Sequence, residues 1–139
     1  MKAAILFFAL LLLVGCNSSE QALIGQWKES EQRFGGNKGE KLSVEKIANG
    51  KVYTFKDENK LELLADGEKY VGVYELVKNG QDEILHTITS DTKSNRVFDQ
   101  YFRIKIADSA TVKKLSFIPV HPENELMYSF GRENIYIKK

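Results

Sequence analysis

The chain has 139 residues, with 20 Lys and Arg against 19 Asp and Glu, and a single cysteine. That length bounds one domain, and balanced charge without a run of one sign excludes nucleic acid as a partner recognised by bulk charge. A lone cysteine excludes an internal disulfide, a thiolate metal site and a redox pair.

Met1-Lys2 opens the chain and an apolar run follows over 3–14. One lysine ahead of such a run fits a secretory signal. The run is shorter than the roughly 20 residues a spanning helix needs. It ends in Leu13-Val14-Gly15-Cys16, which resembles the bacterial lipobox, where a lipid joins the cysteine thiol before the peptide is cut on its N-terminal side. The expected organisation is a signal peptide over 1–15, a lipidated tether over 16–22 that begins Cys16-Asn17-Ser18-Ser19-Glu20, and a folded domain over 23–139. Cleavage removes one charge, Lys2, and leaves 124 residues with 19 basic and 19 acidic side chains. Asn17 is not the aspartate that retains some lipoproteins at the inner membrane. The expectation is therefore a lipid-anchored cell-envelope protein, at the outer membrane rather than the inner.

Beyond Leu23 the dominant signal is a series of short period-two stretches separated by turn residues. The first, 26–32, carries Trp27 and ends at the glycine-rich loop 35–39. Leu42, Val44 and Lys46 alternate with polar neighbours, and Asn49-Gly50 is a hairpin signal because both residues tolerate positive φ. Strands are expected over 51–55, 60–64 and 70–77, joined by turns at 57–59 and Ala65-Asp66-Gly67. Gly72, inside the third, predicts a bend or bulge. Further strands are expected over 83–89, 97–107, 113–120, 125–130 and 134–138. The stretch 97–107 separates Phe98, Gln100, Phe102, Ile104 and Ile106 from Val97, Asp99, Tyr101, Arg103 and Lys105, as a strand with one buried and one wet face should. Eight to ten strands at this spacing, with no helix beyond a short turn at Leu23-Ile24, predict an all-β, antiparallel up-and-down barrel of about eight strands. Such a barrel is filled by side chains or holds one small ligand.

Leu23-Ile24-Gly25-Gln26-Trp27 resembles the opening of a lipocalin, Gly-X-Trp after a short turn. Val52-Tyr53-Thr54-Phe55, Gly72-Val73-Tyr74-Glu75-Leu76 and Leu115-Ser116-Phe117-Ile118-Pro119 are similar to stretches of small lipocalin-like bacterial lipoproteins. The resemblance, carried by Gly25 and Trp27, implies that Trp27 closes one end of the barrel, with Arg132 packed on the indole. It also implies binding of small apolar molecules, although one barrel hosts many functions.

Chemistry-bearing patterns are sparse. His86 and His121 stand 35 positions apart, unlike zinc ligands, and no nucleophile elbow or phosphate loop occurs. Glu29 and Glu31 share a face by parity and read as a solvated surface rather than a glycosidase pair. The six tyrosines, Tyr53, Tyr70, Tyr74, Tyr101, Tyr128 and Tyr136, could line a cavity or simply build the barrel. The expectation is a non-enzyme without cofactor or metal, anchored to the membrane through the lipid on Cys16. Its barrel binds a small apolar or amphipathic ligand. The alternative is a packed barrel that serves a protein partner or a structural role. A cavity of several hundred cubic ångströms favours the first, and a solid core with an exposed apolar patch the second. Cys16→Ser is expected to leave a precursor uncut by the lipoprotein peptidase and unlabelled by radioactive palmitate. A serine variant that still carries label and sediments with membranes would overturn the lipobox reading.

Overall fold

The computed structural model describes residues 18–35, 42–109, 111–121 and 131–139. Cys16, Tyr128 and the strand expected over 125–130 lie outside them. A short helix, α1 (Ser18–Leu23), is followed by β1 (Gly25–Phe34), β2 (Ser43–Lys46), β3 (Val52–Phe55), β4 (Lys60–Ala65) and β5 (Glu68–Asn79). Then come β6 (Asp82–Asp91), β7 (Val97–Asp108), β8 (Lys113–Pro119) and β9 (Glu133–Lys138). All pairings are antiparallel, in the order β2-β1-β3-β4-β5-β6-β7-β8-β9, and β9 returns to pair with β1. Strand β1 and strands β3 to β9 thus close an eight-stranded barrel, and β2 extends one flank. Closure leaves the eight strands without the open edges of a flat sheet.

The turns between consecutive strands follow local chemistry. Asp66 and Gly67 both take positive φ between β4 and β5, as a two-residue hairpin loop requires, and Glu58 and Asn59 do the same between β3 and β4. Asn49-Gly50 behaves differently from the hairpin expected of it. Both β2 and β3 pair with β1, at Glu31–Phe34 and Gly25–Lys28 respectively, and run the same way along it. The dipeptide is therefore a break in what is nearly one strand. A Cβ at position 50 would collide with the Glu29 carbonyl oxygen, so glycine there permits a close backbone approach. Gly72 lies in continuous strand without a bulge, and permits a close backbone approach instead. Its register is unbroken on both sides, with Leu61 and Thr89, and a Cβ would run into the Ile88 carbonyl.

The bulge sits elsewhere, at the seam where the barrel closes. Glu29 pairs with Tyr136 but Glu31 with Ile135, so Ser30 is an extra residue in β1. One inserted residue switches the faces that follow it. Trp27 and Glu29 point inward before the bulge, Gln32 points inward after it, and Glu31 points out. The expectation that Glu29 and Glu31 share a solvated face is thereby corrected.

Helix α1 shuts the end of the barrel at the start of β1 around Trp27 and leaves a cleft beside itself. Helix α1 occupies most of the segment expected to be tether. Leu23 and Trp27 are completely buried, and the Trp27 indole N–H donates to the Leu23 carbonyl at 2.7 Å. Ser19 Oγ donates to Glu83 at 2.7 Å and Lys138 Nζ to the Ala22 carbonyl at 3.3 Å. The same Lys138 nitrogen stands 5.3 Å from the centre of the Trp27 ring. Lys138, which pairs with Trp27, is thus the cation on the indole, in the role expected of Arg132. Arg132 is exposed and precedes Glu133, which pairs with Arg33. Six strand positions, about 20 Å at the usual rise, separate Arg33 from Trp27.

Burying the indole removes on the order of 200 Å² from water. Trp27→Ala should cost about 3–5 kcal/mol through lost transfer energy and the cavity left behind. Urea unfolding should show this loss to be non-additive with Lys138→Ala, which touches the ring, and additive with Arg132→Ala.

Candidate functional site

Above the cap the interior is a stack of rings. Tyr53 meets Phe117 and Tyr136 edge-on at 5.2 and 5.4 Å, Phe102 stacks on Phe117 at 4.8 Å, and Phe55 meets Tyr74 edge-on at 5.0 Å. Leu61, Leu63, Leu85 and Leu115 fill between them. These alternating inward positions of β3 to β9 form a floor at contact density.

Polar groups lie inside as well. Glu29 is only 3% exposed. Its Oε1 accepts from Asn134 Nδ2 at 2.6 Å and Gln32 Nε2 at 3.0 Å, and its Oε2 from the Lys51 backbone N–H at 3.2 Å. A buried carboxylate is tolerable only when so satisfied. The three donors come from β9, β1 and the break beside Gly50, so the carboxylate stitches the seam together. On β6, Thr87 and Thr89 are buried, while Ile84 is half-buried and Ile88 exposed on the opposite face. The barrel takes in the threonines and turns the isoleucines out, the reverse of the ordinary pattern for a wet outer face.

Among the described residues, the end opposite α1 is uncovered on the β7 side. Phe98 and Gln100 occupy inward positions of β7, in line with Phe102 and Ile104, yet both are exposed. Tyr70 of β5 meets Phe98 edge-on at 5.4 Å across this mouth. A cleft of about 390 Å³ opens beside it, lined by Asp99, Gln100, Tyr101, Phe102, Pro119 and Val120. It lies where β8 ends opposite Phe102 while β7 continues. Exposed apolar side chains gather around this end: Phe34, Leu42, Val44, Leu64, Val97 and Phe98. A second cleft, about 490 Å³, lies at the shut end beside α1, between Ser19, Ala22, Ile104 and Ile106, with Asp82, Glu83 and Asp108 on its rim.

Gly25 takes a φ of 127°, and a Cβ there would press on Lys138 Cε at 2.9 Å, so the Gly-X-Trp glycine makes room for the lysine that caps the indole. Of the described tyrosines, Tyr53, Tyr74 and Tyr136 are buried, Tyr70 borders the mouth and Tyr101 lies outside. His86 is on the outer face, stacked on Tyr101 at 4.1 Å with Nε2 2.6 Å from Asp99 Oδ1, and His121 is exposed. Among the described residues no group of three or more His, Cys, Asp or Glu side chains could hold a metal ion. Sequence reasoning missed Glu29, Gln32, Asn134, Thr87, Thr89 and Lys138. The parity of Thr87 and Thr89 with Leu85 was the available signal, masked by the more apolar Ile84 and Ile88.

Comparison with protein-family models, curated proteins and solved structures finds no match to this chain.

Electrostatics follow placement. A hydrogen bond from Lys46, assisted by Arg33, keeps the Glu31 carboxyl below its ordinary range against the opposing effect of burial. Burial raises the phenols of Tyr53, Tyr74 and Tyr136 above their ordinary 10.0, Tyr136 far above it. The nearby Glu29 carboxylate raises Tyr53 and Tyr136 further. Between about pH 10 and the raised native values, the unfolded chain releases phenolic protons that the native chain keeps. Stability is therefore full below about pH 10 and falls as the pH climbs past it. In an alkaline titration, the tyrosinate absorbance of these three side chains should appear together with loss of the β circular-dichroism signal. Their complete ionisation in a barrel that stays folded would contradict the burial described.

Proposed function

We propose that the chain is a lipid-anchored cell-envelope binding protein whose lipocalin-like barrel takes up a small apolar or amphipathic ligand through the end opposite α1. The observation that carries this reading is the pair Phe98 and Gln100, inward-facing by register yet open to water. In a barrel packed to its rim both would be covered. An aromatic floor, threonine hydroxyls and a rim of exposed apolar side chains are the mix that orients and holds amphipathic molecules. The anchor rests on the lipobox-like sequence at Cys16.

A second reading has its own observation. Val73 pairs with Ile88, and Val77 with Ile84, on the outer face of β5 and β6. Val73, Val77 and Ile88 are all exposed, on either side of the Glu75–His86 pair, and exposed apolar outer surface marks protein contacts. In this reading the barrel is a docking module and carries no ligand.

Native mass spectrometry of protein purified from its own host should show a small molecule released on activation. Phe98→Ala should weaken binding of a fluorescent fatty-acid probe about tenfold, the equivalent of about 1.5 kcal/mol of lost apolar contact. A ligand-free mass together with probe binding indifferent to Phe98 would favour the second reading.

A further inference from the structure

We propose that the shut, helix-capped end of the barrel is its bilayer-facing surface, and that the apolar-rimmed mouth opens into water away from the membrane that holds Cys16. This rests on the lipid attachment proposed above and adds a direction to it. Helix α1 (Ser18–Leu23) is fixed to the barrel at three places. Ser19 bonds Glu83, the Ala22 carbonyl accepts from Lys138, and buried Leu23 accepts the Trp27 indole N–H. Only Cys16 and Asn17 stand between the lipid and this helix, and two extended residues reach at most about 7 Å. The ten residues of β1 rise about 33 Å, and a strand tilt near 40° sets the mouth about 25 Å above the cap. A tether over 16–22, as the sequence alone suggests, would reach about 24 Å and let either end find the bilayer. The helix removes that freedom. For the mouth to reach the membrane, α1 would have to unwind, which exposes Leu23 and strips Trp27 of its acceptor.

The surfaces agree with this arrangement. The shut end presents the polar turns Asp57-Glu58-Asn59 and Gly80-Gln81, with Ser109 and Thr111, all exposed. They suit a layer of lipid headgroups without insertion. The exposed aromatic and aliphatic side chains of the rim stand at the far end, out of reach of the anchoring bilayer. The rim therefore meets a ligand or its carrier arriving through water, and a ligand sliding in from the anchoring membrane does not reach it.

In the processed lipoprotein the Cys16 sulfur carries the lipid, so one added cysteine is the sole free thiol. Five single variants place it. Gln81→Cys and Thr111→Cys lie at the shut end, Lys69→Cys and Thr92→Cys near the mouth, and Glu75→Cys on the outer side wall. Each is labelled with a fluorophore and reconstituted into vesicles of phosphatidylethanolamine and phosphatidylglycerol carrying a headgroup nitroxide quencher. With acylation verified by intact mass, quenching at positions 81 and 111 should be several-fold stronger than at 69, 75 and 92. Quenching as strong at 69 or 92 overturns the proposal, as does strongest quenching at 75, which would lay the barrel on its side. Acylated protein unquenched at every position also overturns it, because the helix must then have unwound. An unacylated mass refutes the Cys16 reading itself and the direction with it.

Discussion

A single carboxylate sits at the point where this barrel becomes a barrel. Glu29 lies inside the wall and accepts from Asn134 on the last strand, from Gln32 on its own strand and from the backbone at Lys51. The charge can be buried only because each donor is in place, and each donor depends on a local irregularity. The extra residue Ser30 turns Gln32 inward, Gly50 lets the segment around it press against β1, and β9 must be in register to present Asn134. Removing one partner of such a set leaves the others orphaned in a dry interior. The seam is accordingly more specific than a purely apolar contact would be, because slippage by one residue would strand the carboxylate as well as misplace the aromatics.

From that seam the molecule divides along its axis. Below it, ring contacts among Tyr53, Phe55, Phe117 and Tyr136 and the Trp27–Lys138–Leu23 cap leave a packed, closed half. Above it, threonines replace large apolar side chains on β6, and inward residues of β7 become accessible. Precision in the lower half holds the upper half in shape, as a rigid scaffold beneath the proposed binding site should. The inside-out pattern of β6 has two consequences at once: hydroxyls within and isoleucines without. The first fits a ligand and the second fits a partner, and the two uses occupy different surfaces.

Much of this was legible from residues alone. The two faces of the stretch around Phe102 and Arg103 were plain, because alternation over twelve positions of β7 has one strand-like explanation. The Ala65-Asp66-Gly67 turn was legible because its chemistry is local. Asn49-Gly50 was misread for the opposite reason: turn propensity is local, whereas the strands on both sides of it share one distant partner. The Ser30 bulge leaves no trace in composition, yet it reassigns every face after it. Helix α1 is five polar and small residues followed by Leu23, and would be marginal alone. It exists because Leu23 can drop onto Trp27, a contact no window of sequence displays. The cation on the indole was anticipated as a type of interaction and assigned to the wrong residue, because register along β9, not proximity to Trp27 in a family pattern, decides which side chain arrives.

The β1–β9 seam also has a consequence in time. Its bond from Asn134 to Glu29 spans 105 positions of the chain, nearly the whole folded domain. Contacts so distant are entropically costly to close and slow to nucleate. Local hairpins such as β5–β6 can form as the chain emerges, but the wall stays open until its final strand is available to be placed between β8 and β1. A chain that emerges from its N-terminus therefore passes through an interval with β1 and β8 unpaired and the aromatic floor wet. That interval, rather than the stability of the finished barrel, is when the protein most needs the protection of other molecules.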